Sequence, residues 1–408
     1  MNNTQKQFVD LLSGGIRGAK VFNTYENVNW EEILELAKAH KVEGIIYSAL
    51  SKGGLTDKLE EGKLKELKMI TFRTGIGQLR SINNLLDVFN KFNDNNINVI
   101  VLKGLVIREF YPQPEQRSMC DADILIHIED LERTKELLVG IGYILDDHEA
   151  SHHIKFLHPS YPVIEIHWHL FKRDGFSKEL EKFERLIWKE AVKVYIGKSQ
   201  VLSLGYEDLA LHLCMHMAAH LASTGFGLRQ LCDLVLLVEN KGQEINWDSF
   251  IIKARMYGFE KFSLIMFIIC NKLFNMNIPK ELNVSTIRNK RHVESLVDEI
   301  FESGVHGKSD MTSRFGNQVA FNFGDKDSNA TLGAVKRYLA FIFPSADNLS
   351  DRYSYAKKAK VFLPIAWVHH LFVGVFRSEY GLGDKFRFLT TGASVSIKRN
   401  KLLEWMEL

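Results

Sequence analysis

Between residues 97 and 170 the spacing of apolar residues changes, and this change limits the folds open to the chain. Upstream, "NWEEILELAKAHKVEGIIYSAL" and "TGIGQLRSINNLLDVFNKFNDNN" repeat apolar residues every three or four positions, a helical period. At Ile97 the run "INVIVL" is apolar and β-branched, which predicts a strand covered on both faces, and it ends at Lys103-Gly104 before the short helical stretch "LVIREF". After the loop "YPQPEQRS", "CDADILIHI" predicts a second strand and "EDLERTKELLVGIG" an amphipathic helix closed by glycines. Three more strands are expected around "YILDDH", "HHIKFLH" and "VIEIHWHL". From about Lys178 the helical period returns, and a long loop is expected between Gly304 and Ala334. The expectation is an α+β chain with a helical region over 1–95, a sheet-bearing core over 96–175 and a helical region over 176–408.

The second strand carries two carboxylates on one face. Side chains two apart in a strand point the same way, so Asp121 and Asp123 aim together while Ala122 and Ile124 face the opposite side. Like charges so placed repel, and burying them without a counter-charge is costly. A hard divalent cation meets that need, because Mg²⁺ is commonly held by one or two carboxylates together with substrate phosphates. A third acid, Glu165, shares its strand face with His167 and His169. Three carboxylates converge if the two strands are neighbours. Upstream, Gly104 permits close backbone approach and Lys103 adds charge, a turn suited to phosphates.

The order "VLKG", "RSMCDADILI", "GY" and "VIEIHWHL" resembles the uncharacterised bacterial nucleotidyltransferases of the DNA polymerase beta-like superfamily. The match is densest from about Ile97 to Leu170, and "RQLCDL" and "LPIAWVHHL" fit more loosely. The resemblance implies a mixed sheet flanked by helices. It implies Asp121, Asp123 and Glu165 as catalytic, metal-binding acids for Mg²⁺ or Mn²⁺, and Lys103-Gly104 as a phosphate turn where the wider superfamily has Gly-Ser. The implied chemistry is transfer of a nucleotidyl group from an NTP, with pyrophosphate facing Lys103 and Arg117 and with Glu165 the first choice of base. The helical region after the core would shape the acceptor site.

Other features carry a plainer reading beside a functional one. Arg117 either faces phosphate or pairs with an aspartate, and Arg108 is expected at the surface. His167 and His169 are either ligands beside Glu165 or hydrogen-bonded strand residues, with His152 and His153 weaker candidates. His212, His216 and His220 fall four apart on one helix stripe, either lining a groove near the acceptor or binding metal, although the H-E-x-x-H pattern is absent. Trp367, Phe372 and Phe376 are read as helical core. Two alternatives stay open: a nucleotide- or partner-binding module without transfer, and a histidine-rich metal hydrolase.

Composition narrows the partners. With 46% hydrophobic residues and a formal net charge of +2, the chain is globular and has no global basic excess, so a long nucleic acid is not the expected partner. A small molecule, peptide or protein is the expected acceptor. Cys120, Cys214, Cys232 and Cys270 are widely spaced with no CxxC pair, and "MNNTQKQFVD" lacks a secretory pattern, which together predict a cytoplasmic location. The windows "FSLIMFIIC" and "VFLPIAWVHHLFVGVF" are too short or too interrupted to span a membrane.

Overall fold

The computed structural model describes residues 1–20, 27–146, 153–170, 178–223, 225–305, 343, 345, 349, 351–376 and 401–408. His152, most of the loop expected from Gly304, and the side chains of Phe372 and Phe376 lie outside the described residues. Two compact units are present, one formed by Met1–His216 with Leu228–Arg288, the other by Met217–Gly227 with Asn289–Leu408.

The first unit begins with helices α1 (Asn3–Arg17), α2 (Trp30–His40), α3 (Glu43–Gly53) and α4 (Glu61–Asp94). Asn2 and Gln5 form a reciprocal capping box at the start of α1, and Asn29 caps α2. Phe8, Leu11, Leu12 and Ile16 bury the three-and-four face of α1, and α3 packs against both α1 and α4.

The core then runs β1 (Val99–Val101), α5 (Gly104–Ile107), β2 (Asp121–Ile126), α6 (Leu131–Ile141), β3 (Ile144–Leu145), β4 (His153–Leu157) and β5 (Val163–His167). It continues through α7 (Lys178–Glu190), β6 (Val192–Ile196), β7 (Ser199–Ser203), α8 (Tyr206–Ser223), α9 (Leu228–Lys241), α10 (Trp247–Met256) and α11 (Glu260–Phe274). The strands form one mixed sheet in the order β3-β4-β5-β2-β1-β7-β6, with β2 parallel to β5 and β1 parallel to β7. Ala122, Ile124, Ile164, Ile166, Ile154 and Phe156 share one buried face of this sheet. The alternation that buries them turns Asp121, Asp123, Glu165 and His167 to the other.

The β6–β7 hairpin corrects the expectation of helix throughout the region after Lys178. Ile196 pairs with Ser199 across a two-residue turn, and Gly197 at φ +57° supplies its left-handed position. The hairpin extends the sheet beyond β1. Arg108, expected at the surface, is 2% exposed.

In the second unit α12 (Lys290–Ser303) buries Val293, Leu296, Val297, Ile300 and Phe301. Near α13 (Ser354–Lys358) and α14 (Leu363–Phe376), Leu349, Tyr353, Ala356 and Ala366 form a small core. Trp367 meets Phe343 edge-on with ring centres 5.5 Å apart. Among the described residues no helix is long and apolar enough to cross a membrane. All four cysteines are free thiols, with Cys214, Cys232 and Cys270 buried.

Candidate active site

The Lys103-Gly104 turn joins β1 to α5, and its backbone is strained. Lys103 sits at φ +46°, ψ −119°, a conformation that costs a residue with a Cβ about 1–3 kcal/mol and persists only where its surroundings hold it. Two contacts do so. The Leu102 amide donates to the Asp123 carbonyl at 3.0 Å, and Lys103 Nζ lies 2.9 Å from Asp123 Oδ1. The strain therefore fixes an ammonium group against the second aspartate of β2.

Register then assembles the rest. Asp123 pairs with Glu165 across β2 and β5, and Glu165 pairs with Lys155 across β5 and β4. One step along, Leu125, His167 and His153 form the next row. His167 Nε2 is 3.0 Å from Asp123 Oδ1 and 3.9 Å from Glu165 Oε2, while Lys155 Nζ is 2.9 Å from Glu165 Oε1. The result is a continuous chain, Lys103–Asp123–His167–Glu165–Lys155, in which two acids alternate with cationic or polar nitrogens. Asp121 stands one ladder step away, opposite Val163.

The electrostatics separate the two aspartates. Burial alone would raise the Asp123 pKa, but Lys103 and the hydrogen bond from His167 hold it well below the usual carboxylate range. At Asp121 burial, followed by the charges of Asp123 and Glu165, outweighs the opposing charges of Lys103 and Lys155 and pushes its pKa up. On α8, His212 is buried and its pKa lies well below the usual histidine value, first because of burial and then because of Lys103. Asp123 and His167 also act on His212, and His216 acts on Asp123. These two members of the α8 stripe thus share the electrostatic environment of the acids. His169 is elsewhere, 2.7 Å from Glu184.

Arg117 is paired with Asp233 of α9, and Asp121 acts on it through its charge. Its Nε donates to Asp233 Oδ1 at 3.2 Å and its Nη2 pairs with Oδ2 at 2.5 Å, while Tyr111 donates to the same carboxylate at 2.8 Å. Burial opposes the Arg117 charge, but Asp233 outweighs it and keeps the guanidinium charged. The guanidinium lies where a Cβ on Gly104 would stand, so this glycine admits Arg117 against the backbone. Arg229 Nη1 donates to the Ser118 carbonyl at 2.8 Å and to its hydroxyl at 2.9 Å, and Gln78 Nε2 donates to the Met119 carbonyl at 2.9 Å. The loop leading into β2 is therefore pinned from α4 and α9.

Ligand atoms of Asp123, Glu165 and His167 all lie within 4.8 Å of one another, the one such group among the described residues. That spacing and donor set fit a single divalent ion, whose ligand bonds are about 2.0–2.4 Å. Sequence reasoning missed Lys155 and the Arg117–Asp233 pair. Alternation in "HHIKFLH" puts Lys155 opposite buried Ile154 and Phe156, but only the strand register brings it to Glu165.

None of the curated proteins matches the chain. Two solved structures are similar over part of it. The crystal structure of the lincosamide antibiotic adenylyltransferase LnuA, lincomycin-bound, is 15% identical over 38% of this chain and 94% of that one, with a TM-score of 0.28. The solution structure of the antibiotic-resistance factor ANT(2'')-Ia is 10% identical over 41% and 87%, with a TM-score of 0.32. The family described as uncharacterised nucleotidyltransferase matches residues 26–275, more than half of the chain. The matched span contains the Lys103 turn, both aspartates, Glu165 and the Arg117–Asp233 pair, and the chain belongs to the uncharacterised nucleotidyltransferase family.

Proposed function

We propose that the protein moves a nucleoside monophosphate from an NTP to a small-molecule, peptide or protein acceptor, with Mg²⁺ or Mn²⁺ at the β2–β5 acids. The observation that carries this reading is the in-register pairing of Asp123 with Glu165 beside the Lys103 turn, in a chain of this family. The acceptor hydroxyl attacks the α-phosphorus, the bond from that phosphorus to the bridging oxygen breaks, and pyrophosphate leaves. A bound divalent ion supplies charge neutralisation at the α-phosphate and at the leaving oxygen. Lys103 presents its ammonium to the phosphates at the Lys103-Gly104 turn, while Arg117 positions that turn and the start of β2 from behind. Under this reading Asp121, on the same face, takes the acceptor proton, since Glu165, the sequence's first choice of base, already carries Lys155 on one oxygen. His212 and His216 share the electrostatic environment of the acids, and under this reading they face the acceptor. A cytoplasmic setting suits the thiol cysteines.

The test is transfer of label from α-labelled NTP to components of a cell extract in the presence of Mg²⁺ or Mn²⁺. Asp123→Asn abolishes labelling under this reading; undiminished labelling by that variant refutes it. Binding without transfer is the second reading, and the lysine on each acid favours it, since together they neutralise Asp123 and Glu165 without metal. Calorimetric NTP binding with no pyrophosphate released on long incubation would select it.

A further inference from the structure

The geometry points to a docking surface on α4 for an acidic amphipathic helix of a partner protein. It belongs to the first unit, uses none of the residues assigned to the reaction, and stands whether or not a nucleotide is transferred.

The surface comes from the two faces of one helix. Over its 34 residues α4 buries Leu67, Thr71, Gly75, Gln78, Ile82 and Leu85 against the rest of the unit. A second row, Met69, Phe72, Ile76 and Leu79, runs along the outside at 51%, 65%, 60% and 52% exposure. Its intervals of three, four and three are those of a coiled-coil seam, which keeps one row in line along the helix. Single apolar residues scattered over a surface are ordinary, whereas a row with this spacing is the form that a second helix recognises. The row stops at polar positions in both directions, Lys65 four residues before Met69 and Asn83 four after Leu79. It therefore matches a partner of about three to four turns.

Shape and charge select the occupant. A groove of about 390 Å³ runs beside the row, lined by Phe72, Ile76 and Leu79 from α4, by Tyr47 and Ser48 from α3, and by Glu115 from the turn Pro114–Gln116. The row is thus one edge of a groove and not a flat strip. Between residues 65 and 80 the exposed cations Lys65, Lys68, Arg73 and Arg80 stand against one exposed acid, Glu66, a surplus of three positive charges. Arg73 and Arg80 each follow a member of the row by one residue and so lie along one flank of it, with Lys68 on the other. A partner helix with carboxylates on both sides of its apolar stripe meets this rim with opposite charge. A second copy would lay the same cationic rim against itself. A bilayer would cover Ser48, Glu115 and the other polar groups of the groove without giving them hydrogen-bond partners.

The probe is a fluorescein-labelled helical peptide of about five turns, with Leu repeating at intervals of three and four and Glu on both flanks, titrated with the full chain and read by fluorescence anisotropy. A matched peptide carries Lys in place of every Glu. The expected result is micromolar binding of the Glu-flanked peptide and at least about tenfold weaker binding of the Lys-flanked one. Phe72→Ser and Ile76→Ser each weaken the Glu-flanked peptide at least about tenfold, with circular dichroism and the urea midpoint unchanged because both side chains face outward. The pair Arg73→Glu/Arg80→Glu reverses the preference between the two peptides, which a general loss of structure does not do. Absence of peptide binding, equal affinity for both peptides, or an affinity unchanged in Phe72→Ser overturns the inference. Cosedimentation with phosphatidylglycerol vesicles that Phe72→Ser abolishes, in a chain that binds neither peptide, assigns the row to a membrane surface, and a dimer that Ile76→Ser dissociates in sedimentation velocity assigns it to a second copy. Either result overturns the partner helix, and the labelling assay decides the transfer reading independently.

Discussion

Asp233→Ala would show whether the loop feeding the acids is held by a buried charge pair. The carboxylate is 1% exposed and accepts from Arg117 twice and from Tyr111 once. Removing it leaves the Arg117 guanidinium buried without its counter-ion, beside two other enclosed guanidiniums, Arg108 and Arg229, whose pKa values burial already lowers. Loss of one partner from such a pair costs about 3–5 kcal/mol. With a urea m-value near 3 kcal/mol/M, the unfolding midpoint falls by roughly 1 M or more. Tryptophan fluorescence in urea reads this, and the pair variant Arg117→Met/Asp233→Leu recovers most of the loss, because neither charge then remains buried. A destabilisation below about 1 kcal/mol in Asp233→Ala would refute the reasoning, since Arg117 would then have found water or another acceptor.

Gly104→Ala forces a methyl into the Arg117 guanidinium, which Asp233 holds in place, so a loss of about 1–3 kcal/mol is expected in the same denaturation assay. Lys155→Met removes a competing cation from Glu165 and should tighten Mn²⁺ binding up to about fivefold by calorimetry, the scale of a partly exposed ion pair. His40 is enclosed and its pKa is lowered by burial to about 4, so its neutral form is built into the fold. Stability is full above pH 6.5 and falls as the pH drops toward 4, because the unfolded chain binds a proton that the folded one refuses. The loss is about 3 kcal/mol for this residue, and His40→Gln should remove that part of the slope in denaturation curves measured at several pH values.

Much of this arrangement was legible in the sequence, and the limits have physical causes. Alternation alone put Asp121 with Asp123 and Glu165 with His167, because a strand's side-chain period is fixed at two. Which members of the two pairs meet depends on register, set by the pairing of β2 with β5, and one-dimensional alternation carries no register. Hence Asp121 was expected among the ligands while the close group holds His167. Arg108 was expected at the surface for a related reason. Arg117 pairs with Asp233 of α9, more than a hundred residues downstream, the segment that carries Arg108 packs against the same helix, and no local pattern announces that. The β6–β7 hairpin was missed because its strands are short and lie between strong helical periods, although Gly197-Lys198 flanked by alternating residues is a hairpin signal.

Asp233 and Arg117 are separated by 116 residues, and this bears on how the protein acquires its chemistry. The strands carrying the acids come early in the chain, yet the loop that aims them is fastened by a helix made much later. Loop closure over that distance belongs to tertiary assembly and not to local strand pairing. Synthesis of β2 and β5 therefore supplies the acids before it supplies their final alignment, which waits until α9 has emerged and docked.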